Sequence, residues 1–246
     1  MFQQKKNIIS GRNPVIEALK GTTNIDKILL FKNASGEAVH EIRTLAQQRN
    51  IPIQYVPNEK LNALSGVQHQ GVVAFKTTVV YQNLEEVIEQ VLQAGQVPLF
   101  LMLDGVTDVR NIGAIARSAL CCGAQAIIIP DKGVGALQED AVKSSAGALE
   151  QIHICRVPSL LVALETCRTS GIMVYASEMK ATTLLHQLPL AEPTCFVLGN
   201  EEKGVANYMS KAANQKFAIP MAGNFDSLNV SVAAGIMLYE ALKQRL

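Results

Sequence analysis

Three short stretches hold the side chains that could do chemistry. In the first, Asn111, Gly113 and Arg117 stand at NxGxxxR spacing; in the second, LGNEEKG, Glu201 follows Leu198 and Gly199. In the third, IPMAGNFDSLNVSVA, the triplet Ser227, Leu228 and Asn229 follows Ile219 and Met221. The planar fork of Arg117 suits a phosphate, or an oxygen gaining negative charge. Its neighbours IGAIA and SALCC are small and apolar, a setting in which an arginine needs a partner, and phosphate would supply one. Asn111 reads as the N-cap of the following helix, which puts Arg117 on the second turn. Ser227 and Asn229 could hydrogen-bond a substrate or cap the last helix. Hydrolytic and metal chemistry find no support. His40, His69, His153 and His186 are scattered, none follows a nucleophile elbow, and no C-x2-C pair exists. LDGVTDVRNIG follows an apolar run but lacks a closely spaced GxG, and Asp131, near the interval where a dinucleotide site expects an acid, sits in a turn-like DKG.

Each stretch has the same build: an apolar run, a loop of glycine and polar residues, then a helical pattern. In α/β sheets, sites form outside the carboxyl ends of strands, so three such ends in one domain predict one composite pocket. Backbone N–H groups gather where a strand end meets a helix start and suit the edge of a polar ligand. The strands expected are PLFLML, AQAIII, QIHICRV, IMVYA, TCFVL and KFAIP, with helices near 111–122, 139–147, 159–169, 204–213 and 229–244. Strands this apolar predict a parallel sheet covered on both faces.

Upstream lies a second β/α alternation. Asn13-Pro14 opens a helix that Gly21 stops, followed by the strand IDKILLF, a helix over 37–49, the strand IPIQYV, the short helix NEKLNALS and the strand GVVAFK. His69 and Gln70 read as a structural turn. The expected division is a small α/β domain over 1–76, a hinge and leading helix over 77–97, and a main α/β domain over 98–246.

Composition sets the bounds. The 246 residues are 48% hydrophobic, with no run long enough to span a membrane and no signal peptide, so the cytoplasm is the expected compartment. Five cysteines fit no full disulfide framework and read as reduced, buried thiols. Net charge is only +1, yet residues 1–76 carry ten Lys/Arg against five Asp/Glu, while the remainder carries twelve against sixteen. A basic small domain beside a mildly acidic larger one points to a polyanion at the first, although ordinary surface solvation gives the same count.

NxGxxxR, LGxExxG and IPMxGxxxSLNVSVA, in this order and covering Asn111 to Ala233, resemble the motifs of the SpoU, or TrmH, family of RNA 2′-O-ribose methyltransferases in the SPOUT superfamily. IISGRNPVIEAL and HQGVVAF resemble the leading domain of the ribosomal-RNA-directed members, itself similar to RNA-binding ribosomal proteins. The resemblance implies a parallel sheet with a C-terminal trefoil knot, preceded by an RNA-binding α/β domain. It implies S-adenosylmethionine as cofactor, held through Leu198, Gly199, Ile219, Met221 and Leu228. It gives Arg117, Asn111, Glu201, Ser227 and Asn229 catalytic roles, Arg117 in activating the ribose hydroxyl. A guanidinium with a pKa above about 12 is an awkward base, so phosphate positioning and alkoxide stabilisation stay open for that residue. The substrate implied is a guanosine of large-subunit ribosomal RNA, with transfer RNA or a silent RNA-binding protein as alternatives. A homodimer built on helices of the catalytic domain is implied too, and Val230, Ala234, Met237, Leu238, Ala241 and Leu242 of the last helix fit either that interface or the core. In GNEEKG, Glu202 stands where several relatives have glycine, and Asn200 reads as solvated.

Overall fold

The computed structural model describes residues 8–246 apart from 66, 78, 135, 136, 138, 201 and 224–226. The chain forms two compact units, the first holding residues up to Val79 and the second holding Val80–Gly135 and Asp140–Leu246.

The first unit runs β1 (Ile8–Ser10), α1 (Arg12–Lys20), β2 (Ile25–Phe31), α2 (Glu37–Gln48), β3 (Ile53–Val56), α3 (Asn58–Ser65) and β4 (Val72–Lys76). Its sheet has the order β1-β4-β2-β3, parallel between β2 and β3 and antiparallel elsewhere. Alternation along the strands divides two cores. Ile28, Leu30, Val72 and Ala74 pack with Val15, Leu19, Val39 and Ile42 of α1 and α2, while Leu29, Val56 and Val73 meet Leu61 of α3 on the other face. Asn13 is not the cap of α1. The helix begins one residue earlier, because Gly11 turns the chain at φ 101° and the Arg12 N–H donates to Gln70 Oε1 at 3.3 Å. Pro14 remains in the first turn, where no N–H is needed. His69 is a structural turn residue: it is buried, its Nε2 pairs with Asn62 Oδ1 at 2.8 Å, and its Nδ1 accepts from Gly71 N at 2.9 Å.

The second unit runs β5 (Tyr81–Gln82), α4 (Leu84–Gln93), β6 (Leu99–Asp104), α5 (Val109–Cys121), β7 (Ala126–Pro130), α6 (Glu139–Ser145), β8 (His153–Val157), α7 (Leu160–Thr169), β9 (Met173–Ser177), β10 (Thr194–Gly199), α8 (Asn207–Ala212), β11 (Gln215–Phe217) and α9 (Val230–Arg245). The sheet order is β11-β9-β10-β6-β7-β8-β5, and every neighbouring pair is parallel. One face carries Phe100, Met102, Ala126, Ile128 and Val197 against Val87 and Val91 of α4, Leu164 of α7 and Met209 of α8. The other face holds Tyr175, Phe196 and Phe217, the last two with ring centres 5.6 Å apart, and α9 packs on β10 and α5 there.

Several expectations shift in detail. Tyr81 and Gln82, read as hinge, form an edge strand; the Arg156 guanidinium lies 3.4 Å from the Tyr81 ring centre, and His153 Nδ1 pairs with Gln82 Oε1 at 2.7 Å. The strand KFAIP stops at Phe217; Ala218 makes only a single bridge to Leu184, and Pro220 lacks a donor. Val230, Ala234, Met237, Leu238 and Ala241 are buried in the chain's own core, so an interface cannot use them. The open side of α9 presents Val232, Ile236 and Tyr239 instead. Of the five cysteines, Cys155, Cys167 and Cys195 are buried but Cys121 is exposed. Burial pushes the Cys155 thiol up to about 12 and keeps it protonated.

Gly113 sets the distance between α5 and α6. A Cβ there would lie 1.9 Å from Ser144 Oγ and 2.5 Å from the Ala141 carbonyl oxygen. Since backbone cannot yield as a flexible side chain does, Gly113→Ala is expected to destabilise the protein by about 2 kcal/mol or more. At Gly223 an added Cβ meets nothing within 4 Å, and Gly223→Ala should stay within about 0.5 kcal/mol of the parent. Urea unfolding of both variants checks the contrast; equal midpoints would contradict it.

Candidate functional site

Parallel pairing brings the carboxyl ends of β6, β10 and β11 to one edge of the sheet, and the three motif stretches leave from those ends. Gly199, last residue of β10, pairs with Asp104, last residue of β6. Beyond it the loop folds back on itself. Gly204 N donates to the Asn200 carbonyl at 2.9 Å, and Asn200 Oδ1 accepts from the backbone N–H of Lys203 at 2.7 Å and of Glu202 at 3.1 Å. Asn200 is therefore a loop-forming residue rather than a solvated one. Its side chain replaces the backbone acceptors that a tight turn leaves missing. A Cβ on Gly199 would lie 1.8 Å from the Gly204 carbonyl carbon, so only glycine permits this approach. Asp104 Oδ2 completes the loop by accepting from Ala206 N at 2.7 Å. Glu201 itself lies outside the described residues.

Helix α5 starts earlier than expected. Asp108 is its N-cap, with Oδ1 accepting from Arg110 N at 2.9 Å, and the Arg110 guanidinium beside it holds the Asp108 carboxyl below its ordinary range. Asn111 is thus inside the first turn and not the cap, because Asp108 offers its carboxylate two residues before the N–H it satisfies. Arg117 moves to the third turn. It is exposed, on the side opposite buried Ile112, Ile115, Ala116 and Ala119, and forms no ion pair with a described residue. Of its apolar neighbours in sequence, Ile112, Gly113, Ile115, Ala116 and Ala119 face inward, while Cys121, one turn on from Arg117, is exposed as it is.

Asn229 caps α9, its Oδ1 accepting from Ser231 N at 2.9 Å, and its Nδ2 donates to Asn111 Oδ1 at 3.3 Å. The structure thus joins the first and third motifs directly, at the starts of two helices that pack together. Ser227 is exposed beside this junction in sequence. Leu198 is buried at the end of β10, Gly199, Ile219 and Leu228 are half-buried, and Met221 is exposed. The backbone of 219–223 makes no hydrogen bond to a described residue, which leaves main-chain donors and acceptors beside apolar side chains. Ile219 and Pro220 also line, with Leu185, Val232, Ile236 and Tyr239, a groove of about 540 Å³.

Sequence reasoning missed Asp104 and misread Asn200. The available signal for Asp104 was a carboxylate ending a wholly apolar strand. Charge is costly there without a donor, and the donor proves to be a backbone N–H a hundred residues away.

The model of the SpoU rRNA Methylase family matches residues 98–239, and that of RNA 2′-O ribose methyltransferase substrate binding matches residues 8–81. The Bacillus subtilis (strain 168) protein YacO, assigned by name to the TrmH family tRNA/rRNA methyltransferases, is 34% identical over 244 residues, spanning 99% of this chain and 98% of its own. The crystal structure of the SpoU methyltransferase AviRb from Streptomyces viridochromogenes, in complex with the cofactor AdoMet, has TM-score 0.61 and 25% identity, covering 97% of this chain and 90% of that one. The A. aeolicus TrmH/SpoU tRNA modifying enzyme has TM-score 0.55 and 27% identity over 66% of this chain and 84% of its own.

Asp104→Ala strands the Ala206 N–H and should cost about 1–3 kcal/mol. Asp104→Asn, which keeps an acceptor oxygen, should recover part of this. Thermal unfolding of the two variants decides it: Asp104→Ala no less stable than Asp104→Asn would mean that the loop does not depend on this bond.

Proposed function

The chain belongs to the SpoU family of RNA methyltransferases, and on that premise we propose that it methylates the ribose 2′-hydroxyl of a guanosine in 23S ribosomal RNA. S-adenosylmethionine is the methyl donor. The observation that carries the reading is the junction of Asn229 with Asn111 at the carboxyl edge of the sheet, beside loops whose backbone has polar groups to spare. Such groups, walled by Ile219 and Leu228, fit an adenine edge without any special side chain. Leu198, Gly199, Ile219, Met221 and Leu228 would hold the cofactor, which when bound supplies a methyl group carried on a positive sulfonium.

The chain's own residues then have the task of placing the nucleotide. Exposed Arg117 can clamp a phosphate with two parallel N–H donors and stabilise negative charge growing on the ribose oxygen. Asn111, Ser227 and Asn229 orient the sugar, and Glu201, by its place in the second motif, orients Asn111, Arg117 or the substrate. A ribose hydroxyl is a weak acid, so holding it beside the methyl supplies much of the rate. The residues named are phosphate and hydroxyl partners rather than stacking platforms, which favours sugar over base as the acceptor.

The division of labour belongs to the same reading: the basic leading unit holds RNA and the region from residue 98 does the chemistry. A leading unit matching an RNA 2′-O ribose methyltransferase substrate-binding model supports RNA as what that unit holds. The C-terminal trefoil knot, the cytoplasmic location and a homodimer are part of the proposal as well. The open α9 side with Val232, Ile236 and Tyr239 is the apolar face such a dimer would cover. No helix among the described residues is long and apolar enough to cross a membrane.

RNA methylated with labelled cofactor and then digested in alkali should release the label in dinucleotides, because a 2′-O-methyl group blocks attack on the adjacent phosphate. Label confined to mononucleotides would mean base methylation and end the reading. Arg117→Ala should keep cofactor affinity within about twofold while single-turnover methylation falls by about a hundredfold or more. Isothermal titration and rapid-quench kinetics measure the two separately, and a near-normal rate would remove Arg117 from the mechanism.

A further inference from the structure

We propose that Asn200 is an RNA-binding residue with two separate poles: its side-chain oxygen closes the loop after β10, and its NH2 group donates to an acceptor oxygen of the RNA. The inference rests on the function proposed above. The oxygen is fully used, since Oδ1 accepts from the backbone N–H of Lys203 at 2.7 Å and of Glu202 at 3.1 Å. A carbonyl oxygen has two lone pairs, and both are engaged. The two donors are main chain and cannot become acceptors. Turning the amide over would set an NH2 group against two N–H groups, so the nitrogen pole is fixed. That pole donates to no described residue.

Its direction comes from the neighbouring strand. Gly105 is the first residue after β6, is exposed and turns at φ 74°. A Cβ there would lie 3.4 Å from Asn200 Nδ2, so the amide rests against the bare backbone of Gly105. Strand β10 has β6 on one side and β9 on the other, with β11 beyond β9. The amide therefore reaches toward the segment that leads into α5, with Asn111 and Arg117, and away from the strand that feeds 219–223. In the proposed function the first of these meets RNA and the second holds the cofactor.

The residue type points the same way. To close a turn by accepting two backbone N–H groups, aspartate serves as well as asparagine, and its charge strengthens both bonds. Asparagine differs in two respects: it adds two N–H donors, and it leaves out a negative charge. The donors suit a phosphate or ribose oxygen. The missing charge would only spare the loop another carboxylate beside Glu202, and experiment can separate the two.

Asn200→Asp keeps the shape and both acceptor bonds but exchanges the NH2 for an acceptor, so it should melt no lower than the parent. Combined with Glu202→Gln, it also has the parent's net charge. In filter binding of the full chain to a 23S ribosomal RNA transcript, both the single and the double variant should bind about tenfold or more weakly, the effect of losing one hydrogen bond to a charged group. Cofactor affinity, by isothermal titration, should be unchanged. Parent-like RNA affinity in Asn200→Asp overturns the proposal; so does its return in the double variant, which would reduce the effect to charge. Lost cofactor affinity with RNA binding intact would give the amide to the cofactor and overturn it as well. Should Asn200→Asp not fold, Asn200→Ser, a neutral acceptor without the NH2, replaces it with the same expected loss. Labelled cofactor keeps the two readings apart. Parent protein that binds the transcript but labels no ribose sinks the function alone, and ribose labelling with RNA affinity intact in Asn200→Asp sinks the Asn200 role alone. Parent protein that does not bind the transcript sinks both.

Discussion

The loop that leaves β10 at the candidate site is set by one backbone contact. Gly199 lies so close to Gly204 and Val205 that an added methyl would sit 1.8 Å from one backbone atom and 2.1 Å from another. That approach forces the chain leaving β10 to turn back at once. Asn200 then fills the turn with side-chain hydrogen bonds, and Asp104 on the neighbouring strand receives the chain at Ala206. These contacts tie the two ends of the loop to each other and to β6. The motif glycines make room for close backbone approach, and the polar residues between them close the loop.

The two helices that complete the site are anchored by different means. Helix α5 is set by its cap, Asp108, and by the contact of Gly113 with α6. Helix α9 is held at both ends: Asn229 caps its start, while Arg245 near its end donates to the carbonyl oxygens of Leu190, Val97, Pro98 and Glu192 at 2.8–3.0 Å. Burial makes the charged state of Arg245 harder to keep, and the carbonyl dipoles offset that cost. With its ends fixed and its buried side against α5 and β10, α9 can hold Asn229 to Asn111 without a flexible arm.

Exposure within the candidate site follows the proposed roles. Arg117, Ser227 and Asn229, proposed to meet RNA, are exposed, whereas Leu198, proposed to hold the cofactor, is buried and Ile219 and Leu228 are half-buried. In the leading unit Arg49 is spent on structure: its guanidinium donates to the carbonyl oxygens of Ala18, Leu19, Gly21 and Thr23, at the end of α1. Net charge by count therefore overstates the positive groups that this unit can offer to a phosphate backbone.

The α/β class, the parallel sheet and nearly every strand were legible in the sequence, because strands buried on both faces must be apolar along their whole length. The motif loops were legible as well, since glycine and polar residues interrupt those runs where the chain has to turn. Helix starts were less so. At Asn13 and Asn111 a nearby cap-type side chain drew the boundary too late, when the actual caps were the φ 101° of Gly11 and the carboxylate of Asp108. Tertiary structure alone decided what meets what. Local periodicity does not encode that Asp104 takes the Ala206 N–H or that Asn229 meets Asn111, because those pairs lie 102 and 118 residues apart. It does not say that Arg117 looks outward either, for a helix has two sides, and only the neighbour packed on one of them settles which side is solvent.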